Sequence, residues 1–307
     1  MKILFTGASS FSGMWFVKAL TESGHSVTAT FLRSVEEYAN LRRRRVDQVL
    51  KLCTPVFNCR FGEKNFIETI KQGKWDLFCH HASDVTDYKS PDFAVAPALA
   101  SNTSNLKIVM QTLKEQGCHR LLLTGSVFEQ NEGAGSDGLR AVSPYGLSKG
   151  LTADFFRYYA DILDMKLGKF VIPNPFGPYE EVRFTTYLMQ NWRQHKCAPV
   201  TFPEYVRDNI PISLLAKAYA DFCQSIDGKF QKINPSCYVE SQGAFTYRFA
   251  NEMRRRLNLP CEFELKAQTE FSEPRVRINT TLLDTQKLGW SESKAWDELA
   301  DYYQENV

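Results

Sequence analysis

The chain has 307 residues, 43% hydrophobic and 23% charged, enough for one large domain or a large and a small one around a sizeable core. Its 37 basic and 35 acidic residues leave a formal net charge of +2, which argues against nucleic acid or an acidic membrane as partner. No apolar stretch is long enough to span a bilayer, and Met1 to Phe5 runs straight into a glycine motif rather than a signal sequence, so a cytoplasmic protein is expected.

From Lys2 to Thr6 the chain is a short apolar strand, followed by Gly7-Ala8-Ser9-Ser10-Phe11-Ser12-Gly13 and by a helical period from Met14 to a closing Gly24. Strand, glycine turn and helix in this order make a dinucleotide-binding loop. Gly7 permits the tight bend, Gly13 lets helix and strand approach, and the helix N-terminus offers N–H groups to a pyrophosphate, with Ser9, Ser10 and Phe11 on the same turn. A second strand, Ser26 to Phe31, should end beside the adenosine ribose. NAD-preferring proteins usually carry a carboxylate there; this chain has Leu32-Arg33-Ser34. Arg33 suits a 2′-phosphate, so NADP(H) is expected, with NAD possible. Val35 to Leu52 predicts one helix, whose four arginines, Arg42 to Arg45, read as a solvated face.

Trp75 to Ala82 is a third strand after the helix-like Asn65 to Gly73, so strands and helices alternate and a doubly wound parallel sheet is expected. The adjacent His80 and His81 should face opposite sides of it. His81, Ala82 and then Asp84 leave the strand's C-terminal end, where ligands bind in such sheets. Phe93 to Gln116 reads as one long helix carrying Asn102 and Asn105. Arg120 to Thr124 is the next buried strand, ending in Thr124-Gly125-Ser126 at the edge that faces the cofactor. The eight cysteines contain no Cys-x-x-Cys pair and the five histidines no ligand spacing, so reduced thiols and no metal site are expected.

Ser143-Pro144-Tyr145-Gly146-Leu147-Ser148-Lys149 then starts a helix, with Pro144 in its first turn. Tyr145 and Lys149, four residues apart, share one face. A free tyrosine titrates near ~10, so proton exchange at neutral pH needs help toward the phenolate, which an adjacent ammonium would give. The pair is a candidate acid/base unit.

Together these segments resemble the extended short-chain dehydrogenases/reductases that act on nucleotide sugars, over nearly the whole chain. The family's Thr-Gly-x-x-Gly-x-x-Gly is matched by Thr6 to Gly13, with Ser10 in place of the middle glycine. The segment from a catalytic Ser or Thr to Val-Tyr-Gly is similar to Thr124-Gly125-Ser126-Val127-Phe128-Glu129. Tyr145 and Lys149 match the Tyr-x-x-x-Lys pair, and Asn102 matches a structural asparagine. Pro173-Asn174-Pro175-Phe176-Gly177-Pro178 resembles the segment whose asparagine touches the sugar nucleotide. Tyr205-Val206-Arg207-Asp208 resembles the one whose arginine holds the diphosphate, and Arg275 or Arg277 resembles a second clamp.

The resemblance implies a Rossmann-type dinucleotide-binding region over residues 1–170, rejoined by about 206–234, with a smaller substrate-binding region at 171–205 and 235–307. It implies a homodimer, and catalysis by Thr124, Tyr145 and Lys149 on a nucleotide sugar held by Asp84, Ser126, Asn174, Arg207 and Arg275 or Arg277. Family dehydratases carry Asp-Glu after the catalytic threonine; Gly125-Ser126 stands here and disfavours dehydration. With NADP(H) expected, reduction of a keto-sugar nucleotide is the main expectation, epimerisation through a transient ketone with retained NAD is the alternative, and a non-catalytic cofactor sensor a third reading.

Overall fold

The computed structural model describes residues 1–306. The first half alternates as expected: β1 (Lys2–Thr6), α1 (Phe11–Glu22), β2 (Ser26–Thr30), α2 (Asn40–Val49), β3 (Thr54–Val56), α3 (Lys64–Gln72), β4 (Leu77–His80), α4 (Val95–Asn102), α5 (Leu106–Glu115), β5 (Arg120–Ser126), the short β6 (Ala134–Gly135), α6 (Pro144–Ile162) and β7 (Lys166–Ile172). The remainder comprises β8 (Asn174–Phe176), α7 (Phe184–Arg193), β9 (Ala198–Val200), β10 (Val206–Pro211), α8 (Ile212–Ser225), β11 (Phe230–Ile233), β12 (Pro235–Ser236), β13 (Tyr238–Ser241), α9 (Gln242–Leu257), β14 (Phe263–Leu265), β15 (Val276–Ile278), β16 (Thr281–Leu282) and α10 (Glu292–Asn306).

Seven strands form one parallel sheet in the order β11-β7-β5-β4-β1-β2-β3. The chain runs outward from β1 to β3 and then returns to β4 on the other side of β1. This reversal opens a crevice at the C-terminal ends of β1 and β4, the place where ligands bind in open α/β sheets. The strands are apolar on both faces because helices cover both. On one face Phe16 and Leu20 of α1 and Leu215 and Tyr219 of α8 pack together, with the Phe16 and Tyr219 rings stacked at 4.0 Å. On the other, Phe66 of α3, Met110 of α5 and Phe156 of α6 form the second layer.

Two expected helices are interrupted. Val35 to Leu52 is a short 3₁₀ turn at Val35–Glu37 and then α2, which opens on Asn40 at φ +52°. Phe93 to Gln116 is α4 and α5, broken at Asn105 (φ +49°), whose amide donates to the Gly62 carbonyl. Asparagine tolerates this left-handed backbone better than most residues. Nor is the arginine run uniformly solvated. Arg45 is buried and donates to the Tyr179 carbonyl and, at 2.5 Å, to Glu181, tying α2 to the loop before α7.

Of residues 206–234, α8 and β11 rejoin the large sheet, whereas β10 belongs to a second sheet ordered β13-β10-β15-β6, with β8 also paired to β10. The smaller region has its own core, where Trp192, Phe249, Trp296 and Tyr303 are buried together. No helix among the described residues is long and apolar enough to cross a membrane.

Candidate active site

The glycine turn sits at the switch point. Gly7 has φ +86°, and a Cβ there would lie 2.7 Å from the Ala82 backbone nitrogen; at Gly13 it would lie 2.2 Å from the Gly7 carbonyl oxygen. Both positions need glycine, and together they bring the N-terminus of α1 against the ends of β1 and β4. Ser10, in the place of a middle glycine, is the N-cap of α1: its Oγ donates to the Gly7 carbonyl and accepts from the Gly13 amide. The hydroxyl is therefore turned into the turn and away from the space a pyrophosphate needs. These features fit a dinucleotide, with the N–H groups of α1 facing its phosphates.

His81 closes the floor of this crevice. Its ring lies against Phe16, with Nε2 3.0 Å from Ser12 Oγ and 3.1 Å from Ser10 Oγ, and Nδ1 3.0 Å from Thr124 Oγ1. Ser10 already donates to Gly7, so it accepts from Nε2–H, and Nδ1 in turn accepts from the Thr124 hydroxyl. Burial, with the Lys149 ammonium nearby, holds His81 neutral, its pKa pushed down to about 3. His80 faces the opposite layer, between Phe61 and Phe156. Asn102 is buried; its carbonyl accepts from the Asp84 amide and its amide donates to Ser83 and Thr152, so it fixes the turn after β4 to α6.

Helix α6 begins as its sequence dictates, with Ser143 Oγ accepting from the Gly146 amide and Pro144 in the first turn. A Cβ at Gly146 would meet the Phe128 carbonyl at 2.2 Å, so glycine lets this turn press onto the exit of β5. That contact brings Lys149 to Thr124, with Tyr145 one turn earlier on the same helix. Lys149 Nζ donates to the Thr124 carbonyl at 2.6 Å. Burial pulls its pKa down to about 8, with Lys169 adding to the effect and Glu129 opposing it.

The expected help from Lys149 to the phenol is not what the geometry provides. The Tyr145 pKa is raised, chiefly by burial and then by Glu129 and Tyr88, and the cation that opposes the rise is Arg183. Tyr88 and Phe93 stand edge-on to the Tyr145 ring at 5.5 and 5.9 Å, and the Arg183 guanidinium lies over Tyr88. Tyr88, Phe93 and Arg183 come from segments without a motif, and no signal in the sequence pointed to them.

Among the substrate-side candidates, Ser126 is buried beside Thr124, its Oγ accepting from the Phe128 amide, and Asn174 is half-buried where β8 pairs with Asn209 of β10. Arg207 is buried, donates to the Pro274 and Arg275 carbonyls, pairs with Glu273 at 3.0 Å and lies over the Tyr205 ring. Arg277 is committed to the fold, donating to the Val127 and Glu129 carbonyls. Arg275 is exposed and pairs with Glu204. Arg33 is exposed just past the end of β2, near no acidic partner among the described salt bridges. All eight cysteines are free, and no cluster of metal-ligating side chains occurs among the described residues.

A glycine turn at the switch point of a parallel sheet, with a Tyr-x-x-x-Lys helix laid over the neighbouring strand, defines a dinucleotide-binding enzyme of the extended short-chain dehydrogenase/reductase class. Residues 3–227 match the model of the NAD dependent epimerase/dehydratase family, and the chain belongs to that family. No curated protein matches it. The UDP-glucose 4-epimerase of Thermotoga maritima, solved with UDP-glucose, is similar over 99% of both chains (16% identity, TM-score 0.75). The UDP-glucose 4-epimerase of Thermus thermophilus, complexed with NAD, is similar over 100% of both (15%, 0.73). So is the UDP-glucuronic acid 4-epimerase of Bacillus cereus, complexed with UDP-glucuronic acid and NAD (17%, 0.75). At these identities the likeness is one of fold. All three of these proteins are named 4-epimerases, and none is named a reductase.

Proposed function

We propose that the protein is an epimerase of a nucleotide sugar that uses a bound nicotinamide dinucleotide and passes through a transient ketone. The observation that carries this reading is the contact of Lys149 and His81 with Thr124 beside the glycine turn, with Tyr145 one turn before Lys149 on α6, in a chain of this family. When bound, the nicotinamide supplies the acceptor and donor of hydride. Tyr145, once in its phenolate form, would take the proton from the sugar hydroxyl as the carbon is oxidised and return it when the ketone is reduced from the other face. Thr124, whose hydroxyl proton is directed at His81, offers its oxygen lone pairs to the reacting hydroxyl. Lys149 holds the cofactor ribose, and Asn174 and Arg207 hold the nucleotide diphosphate.

Dehydration is disfavoured, because Gly125 and Ser126 stand where family dehydratases carry an acidic pair. A Cβ at Gly125 would lie 2.8 Å from Lys169 Cε and 3.1 Å from a Glu129 oxygen, so a larger side chain there would have to displace those two side chains. For the cofactor, the structural neighbours were solved with NAD, whereas Arg33 and the missing carboxylate at the end of β2 favour NADP(H).

A second copy of the chain would pack on the face formed by α5 and α6. Ile108 (49% exposed), Phe155 (44%), Tyr158 (61%) and Ile162 (59%) are four large apolar side chains left to water on these two helices.

The test is to incubate the purified protein with UDP-glucose, UDP-glucuronic acid and UDP-N-acetylglucosamine, without added cofactor, and to follow the sugar by NMR. An epimerase gives a mixture of C4 epimers with no net change in nicotinamide absorbance. Stoichiometric consumption of added reduced cofactor on a keto-sugar would restore the reductase reading.

A further inference from the structure

Beneath the Tyr145–Lys149 pair runs a chain of buried charges that the reaction above does not use. Glu129 is fully buried on the loop that leaves β5. One of its oxygens accepts from the Ser126 amide at 2.7 Å, and the other lies 2.6 Å from Lys169 Nζ on β7. Lys169 also donates to Glu132 at 2.7 Å, and the second oxygen of Glu132 takes the exposed Lys232 at 2.9 Å and Asn234 at 3.0 Å. Glu132 thus has a second ammonium partner, Lys232, besides Lys169, whereas Glu129 has only its share in Lys169. Arg277 approaches the same loop from β15 but donates to the Glu129 backbone carbonyl, not to the carboxylate.

The position of Glu129 relative to the reacting groups is what matters. Lys149 donates to the carbonyl of Thr124, and Glu129 accepts from the amide of Ser126, so the two side chains grip the end of β5 across Gly125. Gly125 leaves room for this: its α-carbon faces both the Lys169 stem and the Glu129 carboxylate. Burying a carboxylate is costly unless it is paired. A glycine stands at this place in the Val-Tyr-Gly segment that the sequence resembles, so the strand end does not itself require an acid.

We propose that Glu129 is a positioning residue for the candidate acid/base pair: its buried carboxylate, anchored by Lys169, is the counter-ion that keeps Lys149 an ammonium seated under the Thr124 carbonyl. This rests on the reading of Lys149 as the group that holds the cofactor ribose. The charged and titratable groups around the pair are few. Glu129 opposes the loss of the Lys149 proton, whereas burial and Lys169 favour it. The neighbouring His80 and His81 are both held neutral by burial. Tyr145 feels Glu129 and Tyr88 on one side and Arg183 on the other. Lys169 keeps its own proton, because Glu129 and Glu132 together outweigh the effect of burial.

The two ends of the Glu129–Lys169 pair therefore act on Lys149 in opposite directions, which a merely structural pair would not do. The experiment is a titration of NADH and of NADPH into the full-length protein, by nicotinamide fluorescence, at a series of pH values. In the wild type, affinity should fall as pH rises through the region near 8 where Lys149 loses its charge. Glu129→Gln should move that midpoint down by on the order of one unit, and Lys169→Met should move it up. The double variant should return close to the wild-type midpoint. A folded Glu129→Gln whose affinity falls equally at every pH, with its midpoint in place, overturns the proposal. If Glu129→Gln does not fold, Lys169→Met decides, and a midpoint unmoved or lowered overturns it. A wild type that binds neither nucleotide overturns the cofactor reading and this inference with it, whereas binding with an unmoved midpoint sinks the inference alone.

Discussion

Lys149 donates to the carbonyl oxygen of Thr124 at 2.6 Å, and this bond holds the ammonium below the end of β5 rather than against the Tyr145 phenol. Held there, the lysine binds its proton less tightly than in the unfolded chain, about 8 against an ordinary 10.5. Between those values the unfolded state carries more protons than the folded one, so this group's contribution to stability rises with pH across the window and is at its least favourable below it. The expected outcome is a difference in chemical unfolding between wild type and Lys149→Met that grows in favour of the wild type from pH 8 upward. A flat difference would mean that the ammonium is not destabilised where it sits.

Arg33 lies exposed just past the end of β2, where a 2′-phosphate would come. Replacing it with alanine removes a charge-assisted contact, so NADPH affinity should fall by one to two decades, from ~1.5–3 kcal/mol, while NADH affinity stays within a factor of two or so by the same reasoning. Equal losses for both would mean that Arg33 does not read the phosphate.

The parallel sheet was legible because apolar runs at β1, β4 and β5 alternate with helical periods, as strands covered by helices on both faces do. The breaks at Asn40 and Asn105 were not, because an asparagine in a left-handed conformation looks in sequence like any polar residue on a helix surface. Tyr145 and Lys149 were found by their spacing and by Pro144. The direction of the Tyr145 shift was missed because burial sets it, with help from Glu129 and Tyr88, and periodicity says nothing about which loop covers a ring. Glu129 was visible only as a departure from the glycine of a resembled segment. The carboxylate's partner Lys169 lies on β7, opposite Leu123 of β5, and only the turn after β5 folds Glu129 back to it.

Arg207 makes so many internal contacts that two roles must be separated. Through Glu273 and the carbonyls of Pro274 and Arg275 it ties β10 to the segment before β15. Arg207→Ala removes both the charge and the planar fork. If the guanidinium grips a diphosphate, the apparent constant for a nucleotide sugar should rise by one to two decades, again from ~1.5–3 kcal/mol, with no change for the free sugar. A lowered unfolding midpoint with parallel losses for both ligands would assign Arg207 to the fold.

The face of α5 and α6 makes a prediction about assembly. Phe155 and Ile162 lie seven positions apart on α6, two turns along one side, and both are exposed. A Phe155→Glu/Ile162→Glu variant should sediment as a monomer where the wild type is a dimer, with its circular dichroism unchanged because neither side chain supports the core. A monomeric wild type would remove the homodimer reading.

Tyr145 is the decisive residue. Tyr145→Phe preserves the ring that Tyr88 and Phe93 flank and removes only the hydroxyl, so cofactor and nucleotide-sugar binding should persist while turnover falls by ~10²–10⁴. Because burial holds the phenol protonated at neutral pH, a step that needs the phenolate should speed up as pH rises into the alkaline range. Arg183 is the neighbour that works against that protonation, so Arg183→Ala should move the alkaline rise to still higher pH, and Tyr88→Phe, which removes an opposing phenol, should move it lower. A pH profile that responds to neither variant, or a Tyr145→Phe enzyme that turns over at the parent rate, would transfer the proton to another group and end the mechanism proposed for this site.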